Sequence, residues 1–136
     1  MANVGAAIIA RLEGSAAWLG AVGTRTDWGV SQEGTPSPRV VATWITRDRP
    51  DHYTGEDLCY SRLQIDVYSE ASANEAGDIA EIAIAILRPE ETIGGVRFER
   101  AVEIDGPTDG GEQTETLYLH RARTDFAFLH ANERAE

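Results

Sequence analysis

Residues 62–76 read RLQIDVYSEASANEA, and the fold turns on how that stretch is divided. From Arg62 to Tyr68 polar and apolar residues alternate. Leu63, Ile65 and Val67 point one way; Arg62, Gln64, Asp66 and Tyr68 point the other, the period of a strand with one buried face. A few residues later the period changes. Ser72-Ala73-Asn74-Glu75 fits a capping box, in which the serine hydroxyl accepts from the Glu75 N–H and the glutamate reaches back to the serine N–H. Ser69 is a competing cap one turn earlier. Beyond the cap, Ala76, Ile79, Ala80, Ile82, Ala83, Ile86 and Leu87 form a broad apolar stripe, with Asp78 and Glu81 on the water side. The stripe runs for about 15 residues, roughly 22 Å of helix, and Pro89 forbids much continuation. The stretch is strand, cap and helix, with no reactive residue at the junction.

Upstream, Val4, Ala7, Ile8, Arg11 and Leu12 recur at helical spacing, and Gly14 lies where that helix would end. Gly14–Gly20 reads as a second helical turn or a loop that tucks Trp18 and Leu19 inward. Gly23–Arg39 holds many breakers and is expected to be irregular, with Pro36 and Pro38 extending its end. Arg39–Arg47, rich in β-branched residues, is a strand with Trp44 in the core. Asp48–Leu58 is the tip of a long hairpin that returns through Tyr60–Tyr68. Downstream, Gly94-Gly95 marks a turn, Val96–Ile104 alternates again, and Asp105–Glu115 reads as a flexible acidic loop. Thr116–His130 is a long last strand, bent near Arg123. The expected fold is α+β in the order α-β-β-α-β-β: a mainly antiparallel sheet with helices packed on one face. At 136 residues the chain predicts one domain, with a core over 4–130 and a frayed tail at 131–136.

Composition excludes several roles. Twelve basic residues, all arginine, face 23 acidic ones, for a net charge of −11. Without a basic cluster to release counterions, tight nucleic-acid binding is disfavoured, and so is docking on an anionic membrane. No apolar run approaches the ~18 residues that span a bilayer, and Val4–Ala10 lacks the basic lead of a secretory signal. Cys59 is the lone cysteine, so no internal disulfide forms, which suits a reducing compartment.

Chemistry-bearing patterns are missing as well. His52 with Asp51 and Asp57 could form a loose divalent site, but ordinary turn chemistry already accounts for those residue types. His120 and His130 share a face of the last strand at about 33 Å apart if it is straight, too far for one metal. Cys59 has no neighbouring base to lower its pKa. Asp105, Asp109, Glu112 and Glu115 miss the EF-hand spacing, and no phosphate loop or nucleophile elbow occurs. No catalytic residue, metal or cofactor is expected, and the chain does not read as an enzyme. Trp28, a large aromatic in a breaker-rich loop, stands out as a contact residue.

A family resemblance goes further. Arg62–Tyr68 with Glu75-Ala76, Gly95-Val96-Arg97, Leu117-Tyr118 and Thr124-Asp125-Phe126-Ala127-Phe128, with the proline-bearing lead-in Gly34–Arg39, resemble the tail-completion (tail-terminator) family. These are DUF3168-type minor tail proteins of siphophages and gene transfer agents, and the likeness runs from about Val4 to His130. The resemblance implies a structural protein of the virion, made in the host cytoplasm. It would form a ring, usually a hexamer, on the head-proximal end of the tail tube, stopping polymerisation and joining tube to head connector. DNA would pass through the lumen without specific binding, which the acidic composition suits. Arg47, Asp48 and Arg49 at the first hairpin are the expected subunit or lumen contacts, alongside Trp28. The alternatives are another head–tail neck or adaptor protein, or a small metal-dependent binding module around His52.

Overall fold

A computed structural model describes residues 4–29, 36–48, 58–93, 96–113 and 116–131. The fold is α+β. Helices α1 (Val4–Glu13), α2 (Ala16–Val22) and α3 (Ala73–Leu87) lie on one face of a sheet. Its strands are β1 (Thr26–Trp28), β2 (Arg39–Asp48), β3 (Leu58–Ser69), β4 (Glu91–Ile93), β5 (Val96–Phe98), β6 (Glu103–Gln113) and β7 (Tyr118–Ala131). The spatial order is β1-β2-β3-β7-β5-β4, with β6 also paired to β7. Every pairing is antiparallel except β1 with β2.

The centre of the sheet follows from residues 61–69. Ser61, Leu63, Ile65, Val67 and Ser69 are all fully buried beneath the helices. Their β7 partners Phe128, Phe126, Thr124 and Ala122 share that face, as directly opposed residues must. From β2, Val40 and Ala42 join them. A bulge between Trp44 and Thr46 then leaves Ile45 exposed.

The strand-to-helix junction is built as expected, with one change. Ser72 is the N-cap, and its hydroxyl accepts from the Glu75 N–H at 3.0 Å. The Glu75 carboxylate, however, does not return to the Ser72 N–H. It accepts from the Ser69 hydroxyl at 2.6 Å, while Ser69 Oγ itself accepts from the Ala71 and Ser72 N–H groups at 3.0 and 3.2 Å. The two competing caps therefore act in series, and more of the orphan donors at the helix start are satisfied. The helix ends as Pro89 requires, with Arg88 as C-cap.

Arg11, on the buried stripe of α1, is 5% exposed. Its guanidinium donates to the Pro89 carbonyl, lies 3.6 Å from Glu91 and sits over the Phe98 ring. Burial lowers its pKa and Glu91 opposes that shift. A single arginine thus ties α1 to the exit of α3.

Several segments depart from expectation. The order is α-α-β-β-β-α-β-β-β-β in place of α-β-β-α-β-β. Glu91–Ile93 adds the short strand β4, Val96–Ile104 is divided between β5 and the start of β6, and Leu19 is exposed instead of tucked inward with Trp18. Within the breaker-rich stretch 23–39, Thr26–Trp28 forms the parallel edge strand β1, held by main-chain bonds such as Val40 N–H to Arg25 O at 2.9 Å. The larger correction is Asp105–Glu115: instead of a flexible loop, most of it is the body of β6, paired with β7 from Glu103↔Ala127 to Gln113↔Tyr118. Ladder hydrogen bonds use the backbone alone, so a strand with Asp, Gly and Pro in place of alternating apolar residues still forms against a long, regular partner. A register shift between Asp105 and Thr108 absorbs Gly106 and Pro107.

Candidate functional site

With the helices on one side, no helix among the described residues covers the other face of the sheet. Register places on it Arg39, Val41 and Thr43 from β2, and Arg62, Gln64, Asp66 and Tyr68 from β3. Arg121, Arg123 and Asp125 of β7 lie across from them, with Glu103, Asp105 and Thr108 of β6 beyond. The face is charged but not loosely solvated. Asp66, in the middle, is only 5% exposed. It accepts from Arg123 Nε at 2.7 Å and Nη2 at 3.3 Å, and from Gln64 Nε2 at 2.9 Å. That bond to Asp66 raises the Arg123 pKa. Arg62 pairs with Glu103 at 2.8 Å, and Arg39 lies over the Tyr68 ring.

Two polar atoms on this face have no hydrogen-bond partner among the described residues. Asp125 Oδ1 and Arg121 Nε are both buried without a hydrogen bond. Burial raises the Asp125 pKa, with Asp105 adding to the shift and Arg123 opposing it. For an acid whose folded pKa lies above its unfolded one, stability is fully present below the unfolded value and is lost as pH rises through the folded one. Asp125→Asn is therefore expected to stabilise the isolated chain at neutral pH and to have no such effect well below the ordinary aspartate range. Urea titrations at pH 7 and pH 3 read this difference, and an equal change at both would exclude it.

A pocket of about 180 Å³ opens on the same face, lined by Tyr68, Gly111, Glu112, Leu119 and Arg121. Burial raises the Tyr68 pKa first, and Asp66 adds to it, so the phenol stays protonated. Leu119 forms a dry wall at 7% exposure.

The sequence candidates fall elsewhere. Arg47 and Asp48 are the last residues of β2, opposite Ser61 and Tyr60; Arg49, Asp51, His52 and Asp57 lie outside the described residues. Trp28 is partly buried at the end of β1, its ring edge-on to Trp44 at 5.5 Å and against Gly5. His120 and His130 both lie on β7, ten residues apart in sequence. Among the described residues no group of three or more His, Cys, Asp or Glu could hold a metal. No helix is long and apolar enough among them to cross a membrane. The Tyr68–Arg121 pocket has no signature in the sequence, because Gly111 and Glu112 read there as loop.

No family model matches the chain, and no curated protein matches it. Solved structures do. A chain of the virion of a native gene transfer agent particle is 16% identical, with a TM-score of 0.64 over 95% of both chains. A second solved chain is 15% identical, with a TM-score of 0.56 over 98% of this chain and 96% of that one. At such identity these likenesses show a shared fold, end to end.

Proposed function

We propose that this chain is a non-enzymatic structural protein of a phage or gene-transfer-agent particle, and within it the tail terminator. In that role copies of the chain form a ring, six by the family resemblance, on the head-proximal end of the tail tube. The ring stops tube growth and presents a surface to the head connector. The observation that carries this reading is the full-length fold shared with a gene transfer agent virion chain. The sequence resemblance at Arg62–Tyr68 and Thr124–Phe128 to the tail-terminator family supports the finer role independently of the coordinates. The net charge of −11 per chain suits a lumen through which DNA slides without being held.

Purified protein added to polymerising tail tubes is expected to bind tube ends and halt elongation. Particles assembled without it are expected to carry overlong or unjoined tails. Binding to the connector alone, with tube growth unaffected, would assign a different neck component. Normal infectious particles without the chain would remove the structural role altogether.

A further inference from the structure

The Tyr68–Arg121 pocket has the chemistry of a receptor for one carboxylate. Arg121 lies flat across Gly110: a Cβ there would fall 2.5 Å from Nη2, so the guanidinium rests where only glycine leaves room. Its Nε is buried and has no acceptor. An unmet donor on a charged group is costly unless something supplies an acceptor. Tyr68 adds a hydroxyl, and Leu119 closes one side with apolar surface. A guanidinium and a phenol lining one pocket beside the apolar Leu119 suit a planar two-oxygen anion. Glu112 in the lining, with Asp105 and Asp125 on the same face, disfavours a multiply charged run of phosphates more strongly than a single carboxylate.

A matching surface lies on the opposite layer. Along α3, Asn74, Asp78, Glu81 and Ala85 are exposed in a single line of helical spacing, and nothing lies within 4 Å of a Cβ built at Gly77 beside them. The helix carries Glu75, Asp78 and Glu81 and no basic residue. Partly buried Ile82 and Ile86 flank the ridge. It is narrow, acidic and edged with apolar surface.

Resting on the ring reading above, we infer that in the assembly the acidic ridge of α3, through Asp78 or Glu81, seats on the open sheet face of the next copy and places a carboxylate against Arg121 and Tyr68. Charge complementarity favours the pair: Arg121, whose Nε has no hydrogen-bond partner among the described residues, is on the sheet side, and the exposed acids Asp78 and Glu81 are on the helix side. Because the two patches lie on opposite layers, a copy cannot fill its own pocket, and the contact cannot be two-fold symmetric. Such back-to-front contacts propagate head to tail and close into a ring when the rotation allows.

Charge swapping tests the contact on the full chain. Self-association is measured by sedimentation velocity across concentration, alone and with tail tubes, and folding is followed by circular dichroism. Arg121→Glu, and separately Asp78→Arg with Glu81→Arg, are each expected to weaken assembly by about 30-fold or more. Combining all three should restore it to within a few-fold of wild type. If a reversed variant fails to fold, Arg121→Gln and Asp78→Asn with Glu81→Gln replace it, each expected to weaken assembly about tenfold. Folded variants that assemble like wild type, or a combination that stays dissociated, overturn the contact while leaving the ring standing. So does loss of tube binding with rings intact, which would give the pocket to the tube protein. A wild-type chain that forms no ring under any of these conditions removes the ring reading, and this contact with it.

Discussion

Trp18→Ala is expected to cost about 3–5 kcal/mol of folding stability, among the largest effects of any single substitution in the chain. Trp18 is fully buried in α2. The turn before it is set by Ser15, the N-cap, whose hydroxyl accepts from the Trp18 N–H. Its indole Nε1 donates to Thr26 Oγ1 at 3.0 Å, and Thr26 is itself buried. Truncation therefore does two things at once. It opens a cavity where α2 meets the sheet edge, and it strips a buried hydroxyl of its donor. Against a total of about 5–15 kcal/mol for an ordinary domain, such a loss leaves little margin. The midpoint of thermal unfolding should fall by roughly 10 °C or more. Thr26→Val isolates the hydrogen-bond share and should cost no more than about 2 kcal/mol. A Trp18→Ala protein within about 1 kcal/mol of wild type would mean that the indole is not in the core.

Gly106→Ala comes next, at about 2–4 kcal/mol. Gly106 sits in the register shift of β6 with φ of +111°, a backbone conformation that L side chains rarely adopt. A methyl group there would meet the Arg123 carbonyl at 2.5 Å, and Thr108 N and Thr124 Cα at 3.2 Å. All three are backbone atoms of the sheet, so none can swing aside. The damage should be local first: amide exchange in Glu103–Gln113 should accelerate far more than in β3 or α3, because among the described residues β6 pairs with β7 alone. Uniform loss of protection across the sheet would show instead that β6 and the core unfold as one unit. The same variant tests the pocket indirectly, since Gly110 and Gly111 belong to the strand it loosens.

How much was legible follows from where the information sits. Leu63, Ile65 and Val67 are inside because their spacing matches the pleat, and the Ser72 cap acts within a few residues of itself. The α3 stripe was nearly right, but Ile84 is buried and Ile82 and Ile86 only partly so. In a helix this rich in alanine and isoleucine, hydrophobicity surrounds the axis, and only the neighbours decide which side is covered. Trp28 reads as a loop residue from its surrounding glycines, yet a main-chain pairing with Val40–Ala42 makes it the end of a strand.

Residues 62–76 determined by themselves the central strand and its helix, and the arginine-only, acid-rich composition set the net charge of −11, because periodicity, capping and net charge act locally or sum over the chain. Tertiary structure alone made a strand of Glu103–Gln113, buried Asp66 under Arg123, and brought Tyr68 beside Gly111 and Arg121. Those outcomes depend on backbone pairing between distant segments, which leaves no side-chain pattern to read in advance.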